Sequence, residues 1–105
     1  MMVFIWLDDE RPMPATNSFL HDIMIHAHNY AEGIEALDFV RQMQYDVWVH
    51  FDHDLGETKT GYDVAKYIVE NEINLKCFSV HSMNPVGAQN IYQLLTHYGY
   101  KYRRL

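Results

Sequence analysis

A single cysteine, no membrane-length apolar run and few basic residues are the scarcities that bound this sequence of 105 residues. Cys77 has no partner in the chain, which excludes an intramolecular disulfide framework and suits a reducing compartment. Within Cys77-Phe78-Ser79-Val80 it is expected to act as a small buried apolar side chain. No apolar stretch approaches the roughly 18 residues of a bilayer span, and the run Met2–Leu7 meets acids at once. The expectation is a soluble, unexported, cytoplasmic chain. Lys and Arg number 8 against 14 Asp and Glu, a formal charge of −6. That balance argues against a broad nucleic-acid surface or attraction to an anionic membrane. Lys101, Arg103 and Arg104 gather at the end of the sequence and read as a solvated tail. Repeats, linkers and low-complexity segments are absent as well. With 49% apolar residues, disorder is not expected, and residues 1–105 read as a single α/β domain.

What is present centres on His50-Phe51-Asp52-His53-Asp54-Leu55-Gly56. The preceding run Tyr45–Phe51 is short, β-branched and aromatic, so it predicts a buried strand that delivers Asp52, His53 and Asp54 at its carboxyl end. Two carboxylates and an imidazole so close together resist burial unless they are paired or metal-bound. Val3–Leu7 predicts a first strand that also ends in acids, Asp8-Asp9-Glu10, before Arg11-Pro12. Residues 12 to 22, with two prolines and weak periodicity, predict a loop with room for one short helical turn.

Asp22–Ala27 reads as the second strand. Asn29 then caps a helix whose apolar face is Tyr30, Ile34, Leu37 and Val40. Beyond the acidic knot, Gly56–Gly61 is a polar loop. Thr60 and Asp63 mark the start of a helix that buries Val64, Ala65, Ile68 and Val69. Leu75–Val80 is the fourth strand and ends in His81-Ser82. Asn84-Pro85 opens a last helix, with Ile91, Leu94, Leu95 and Tyr98 on its apolar face and Gly99 as its stop, before a short edge strand at 100–104. Strands alternating with helices imply parallel pairing through right-handed crossovers, a doubly wound sheet of about five strands. On that fold Asp8, Asp9, Asp52, His53, Asp54, His81 and Ser82 converge on one edge.

These features resemble the receiver domains of response regulators: an acidic pair after strand one, an Asp after strand three, Gly-Tyr-Asp-Val heading the next helix and a hydroxyl after strand four. The resemblance implies strand order 2-1-3-4-5, acids that bind Mg²⁺ (Asp8, Asp9, Asp52) and a phosphoryl acceptor at Asp52. The chain differs from receivers in having His81 near the switch hydroxyl's place, a degenerate first helix and no Lys-Pro after the last strand. Leu7-Asp8-Asp9-Glu10-Arg11-Pro12, Asp52-His53-Asp54-Leu55-Gly56 and His81-Ser82-Met83-Asn84-Pro85-Val86-Gly87 are instead similar to the cyclic-phosphate-processing receiver domains of bacteria and their viruses. That group implies action on a cyclic nucleotide or a cyclic-phosphate RNA end, in the host cytoplasm if the chain is viral.

Opening a cyclic phosphodiester requires a base for water, an acid for the leaving alkoxide and help for the charge on phosphorus. His53 and His81 are the candidate acid/base pair, since imidazole titrates near neutrality. Asp8, Asp9, Asp52 and Asp54 are candidate ligands for Mg²⁺ or Mn²⁺, with Zn²⁺ ranked below for want of tight ligand spacing. Arg11, Ser82, Asn84 and the helix start behind them are candidate phosphate donors. Bland alternatives stand beside these. Asp8 and Asp9 could pair with Arg11 or Lys59, His53 and His81 could be structural, and Ser82 and Asn84 could be caps. His50 reads as a hydrogen-bonded core histidine, and Tyr62 as packing or as a platform for a nucleobase. His21, His26, His28 and His97 receive no role.

Overall fold

The apolar runs of the sequence become neighbouring strands in the computed structural model, which describes residues 1–14 and 22–105. In chain order the elements are β1 (Met2–Leu7), β2 (Ile23–Ala27), α1 (Tyr30–Met43), β3 (Asp46–Phe51), α2 (Gly61–Glu70), β4 (Cys77–Val80) and α3 (Pro85–His97). The four strands form one parallel sheet in the order β2-β1-β3-β4. The fold is α/β and receiver-like. The expected loop at 12–22 lies largely outside the described residues.

The expected fifth strand contracts to a single parallel bridge between Phe78 and Tyr102. Phe78 N donates to Lys101 O at 2.9 Å and Arg103 N to Phe78 O at 2.8 Å, so the segment holds the edge position without extending along β4. Residues 101–105 are exposed, as expected of a solvated tail, and Arg103 in addition lays its guanidinium 5.2 Å from the centre of the Trp48 ring. β4 begins at Cys77, two residues later than Leu75.

The helices start where local chemistry sets them. Asn29 Oδ1 accepts from Glu32 N at 2.9 Å and caps α1. Asp63 Oδ2 accepts from Thr60 N at 2.8 Å at the head of α2. Asn84 Oδ1 accepts from Gly87 N at 2.9 Å ahead of Pro85, which needs no donor at that position. Gly99, with φ 87, ends α3 in the left-handed conformation that glycine adopts without steric cost.

The main core joins odd-numbered residues of β1 and β3 (Val3, Ile5, Leu7, Val47, Val49, Phe51) to Leu37 and Val40 of α1, Val64 and Ile68 of α2, and Ile91 and Leu95 of α3. All three helices therefore cover one face of the sheet. Handedness explains this: β2 to β3, β3 to β4 and β4 to Tyr102 all step the same way across the sheet, and right-handed crossovers taken in one direction fall on one face. The step from β1 to β2 runs the opposite way. On the second face Phe4, Trp6, Trp48 and Cys77 form a separate buried cluster with Met2 and Met13 against it. Among the described residues no helix is long and apolar enough to cross a membrane.

Candidate functional site

Parallel pairing aligns residues of one parity into rows across the second face. Trp48 lies opposite Phe4 and Cys77 in one row, and in the next His50 lies opposite Trp6 and Ser79, with His26 of β2 beyond Trp6. Two residues further along, past the strand ends, the same parity carries Asp8, Asp52 and His81. The ladder still holds there: Asp52 N donates to Leu7 O and His81 N to Phe51 O, both at 2.9 Å. One ligand atom from each of Asp8, Asp52 and His81 lies within 4.8 Å of the others. This is the carboxyl edge at the β1/β3 junction, where the direction of the crossovers reverses and open α/β sheets place their ligands.

Asp8 is wholly buried, and both of its carboxylate oxygens have partners, with acceptor capacity left on Oδ2. Its Oδ1 accepts from Glu10 N at 2.9 Å and Arg11 N at 2.8 Å, and its Oδ2 meets His81 Nε2 at 3.0 Å. Its carbonyl accepts from His26 Nε2 at 2.8 Å. Behind His81, its Nδ1 meets His50 Nε2, His50 Nδ1 meets Ser79 Oγ, and Trp48 Nε1 donates to Ser79 Oγ at 3.0 Å. Trp6 forms the floor of this line, with ring centroids 4.6 Å from His50 and 5.0 Å from His81 and planes inclined by 7° and 23°. Trp6 is itself anchored by Nε1 to Arg11 O at 3.0 Å.

Burial dominates the electrostatics. It pushes His50 down to about 3, assisted by His81 and opposed by Asp8, so His50 is neutral. Burial, then the neighbouring Asp8, raises Asp52, while Ser82, His81 and the Asp54 backbone pull the other way. Among the described residues neither Asp8 nor Asp52 has a Lys or Arg partner. The expected alternative of pairing with Arg11 or Lys59 is not what forms. The Arg11 side chain is exposed, and Lys59 sits 5.1 Å over the Tyr30 ring.

The remaining candidates fall into neighbouring groups. His53 Nδ1 meets Asp54 Oδ1 at 2.9 Å, and the His53 ring packs so closely on Gly87 that a Cβ there would strike it. Asn84 Nδ2 is 3.5 Å from His53 Nδ1, and Asn84 N donates to Ser82 Oγ at 3.0 Å. Ser82 thus joins the α3 cap to Asp52. Asp9 is directed at Gly56, where a Cβ would stand 2.7 Å from Asp9 Oδ2. Asp9 and Asp54 stand outside the three-ligand group found among the described residues. His50 is the buried, hydrogen-bonded histidine expected of it. Tyr62 lines a surface pocket with Asn90, Leu94 and Tyr98.

Sequence reasoning missed His26, Trp48 and Ser79. Row parity was the available signal: His26, Trp6, His50 and Ser79 share the face of Asp8 and Asp52, and Asp9 does not.

The profile of the cyclic-phosphate processing Receiver domain matches residues 3–97. The chain belongs to this family. No curated protein matches the sequence. In fold, this cyclic-phosphate-processing receiver domain is similar to the crystallised signal receiver domain of a Luxo repressor protein from Vibrio parahaemolyticus, with TM-score 0.59 and 16% identity. The alignment covers 97% of this chain and 76% of that one. Likeness at that identity shows the fold and leaves function to the site.

Proposed function

We propose that this receiver-like domain hydrolyses a cyclic phosphodiester, on a cyclic nucleotide or a 2',3'-cyclic phosphate RNA end, with a divalent cation held at its carboxyl edge. The observation that carries the proposal is the Asp8, Asp52 and His81 group, drawn within 4.8 Å and lacking a Lys or Arg partner. The donor set suits a hard cation: Asp52 is half-buried, uncomfortable as an anion and beside a second carboxylate. Asp8 and Asp52 would hold Mg²⁺ or Mn²⁺, with Asp9 and Asp54 at the rim. The cation would polarise the phosphoryl oxygens and offset the acidic surroundings.

The histidines supply the proton transfers. His53 is oriented by Asp54 through Nδ1, which leaves Nε2 as the base for an attacking water. Oxygen of that water bonds to phosphorus as one ring P–O bond breaks. The proton from the water goes to His53 Nε2, and His81 Nε2–H protonates the leaving alkoxide, leaving a phosphomonoester and a hydroxyl. Arg11, exposed beside Asp8, Ser82 and Asn84 hold the phosphate.

A second reading, phosphoryl transfer to Asp52 in signalling, is favoured by the receiver fold. One experiment separates them. The purified chain is incubated with cyclic nucleotides and cyclic-phosphate-ended RNA in the presence of Mg²⁺, Mn²⁺ or Ca²⁺ and followed by ³¹P NMR. Conversion to a monoester is expected. No turnover with any pair would overturn the phosphoesterase assignment, and acetyl phosphate labelling of Asp52 would establish the second.

A further inference from the structure

We infer that Trp48, Ser79 and His50 are positioning residues, a one-way hydrogen-bond relay that holds His81 as the tautomer with its proton on Nε2, aimed at Asp8. The direction follows from the two ends. Trp48 Nε1 can only donate, so Ser79 Oγ accepts there at 3.0 Å. The Ser79 hydroxyl has one proton to give, and among the described residues its remaining partner is His50 Nδ1. His50 therefore carries its proton on Nε2 and donates to His81 Nδ1. His81 in turn carries its proton on Nε2 and donates to Asp8 Oδ2 at 3.0 Å. Asp8 closes the line as an acceptor whose other oxygen is occupied by two backbone N–H groups.

The reverse direction fails at both ends. Were His81 protonated on Nδ1 alone, His50 would donate to Ser79, and Ser79 would accept two donors while its own proton had no acceptor among the described residues. His81 Nε2 would then turn a lone pair toward a carboxylate oxygen. Water cannot repair the buried end, because Trp48, His50 and Ser79 are 3%, 2% and 1% exposed. The flat Trp6 floor keeps both imidazoles near one plane, their rings inclined by 17°, as an in-plane N–H···N contact requires. Partners that orient a metal-ligating histidine through its other nitrogen commonly contribute about 10–100-fold to metal affinity or activity, and the relay would act on His81 in the same manner.

The tautomer stands on hydrogen bonding alone, whereas its value to the reaction rests on the phosphoesterase reading. Long-range ¹H–¹⁵N correlation spectra of the ¹⁵N-labelled full chain separate the two. His50 and His81 should each show a bare Nδ1 and a protonated Nε2. Ser79→Ala should convert both rings to tautomer mixtures and lower kcat for a cyclic phosphate about tenfold with little change in KM, and Ser79→Thr, which keeps the hydroxyl, should restore both. Trp48→Phe, which deletes the terminal N–H donor together with part of the buried ring, should give a partial mixture and is the variant to use if Ser79→Ala does not fold. Protonation of His81 at Nδ1 in the native chain, or unchanged tautomers in both variants, would overturn the relay. Absence of turnover in the native chain would defeat the phosphoesterase assignment and leave the spectra to decide the relay.

Discussion

Asp52 and His50 pull the stability of the molecule in opposite directions with pH. The folded pKa of Asp52 lies above the unfolded value of 3.8, so its contribution is complete below 3.8 and is lost as pH rises through the folded value. His50 is depressed from 6.5 to about 3, so its contribution is complete above 6.5 and is lost as pH falls toward 3. The His50 shift is the large one, and stability is expected to rise with pH across that window. His50→Asn should flatten the rise, while Asp52→Asn should steepen it and raise stability at neutral pH. Urea unfolding at a series of pH values measures both slopes, and a His50→Asn slope equal to that of the native chain would place the acid sensitivity elsewhere. For the reaction, His53→Ala and His81→Ala should each cost roughly 10²–10⁴-fold in turnover. Near-native turnover in either variant would remove that histidine from the acid/base pair.

Two glycines set how the elements meet at the site, and they differ in what a methyl group would meet. At Gly61 a Cβ would collide with the Asp52 carbonyl, backbone against the first residue of α2, whose N–H also donates to His53 O at 2.8 Å. Gly61→Ala should therefore destabilise the fold by about 1–3 kcal/mol, read from the denaturation midpoint. At Gly87 the collision is with the His53 ring, a side chain that can turn away. Gly87→Ala should keep most of the stability and lose turnover instead. A loss of stability as large as that of Gly61→Ala would show that His53 cannot yield.

At this scale most of the architecture was legible in the sequence. The caps at Asn29, Thr60 and Asn84 and the apolar runs of β1 and β3 are local signals, and the elements formed where those signals stood. Leu75 and the 100–104 edge strand were over-read because apolar or aromatic composition does not reveal where a ladder loses its partner. The convergence of Asp8, Asp52 and His81 followed from the fold. The inward line through His50 and Ser79 needed register, which composition cannot supply.

Across the whole molecule, a cation that binds only the assembled edge should stabilise the fold by mass action, about 2.7 kcal/mol at a hundred times its Kd. For a chain of this size that is a rise on the order of 10 °C in Tm. Addition of Mg²⁺ or Ca²⁺ in a thermal melt should show the rise, and Asp52→Asn should lose most of it. An equal rise in the variant would locate the cation at another set of acids. The rows of the sheet also have an optical consequence. The chain contains only two tryptophans, and both lie in the cluster behind the site, Trp6 flat against the imidazoles and Trp48 bonded to Ser79. Native fluorescence is therefore a label-free gauge of whether that packed cluster is intact.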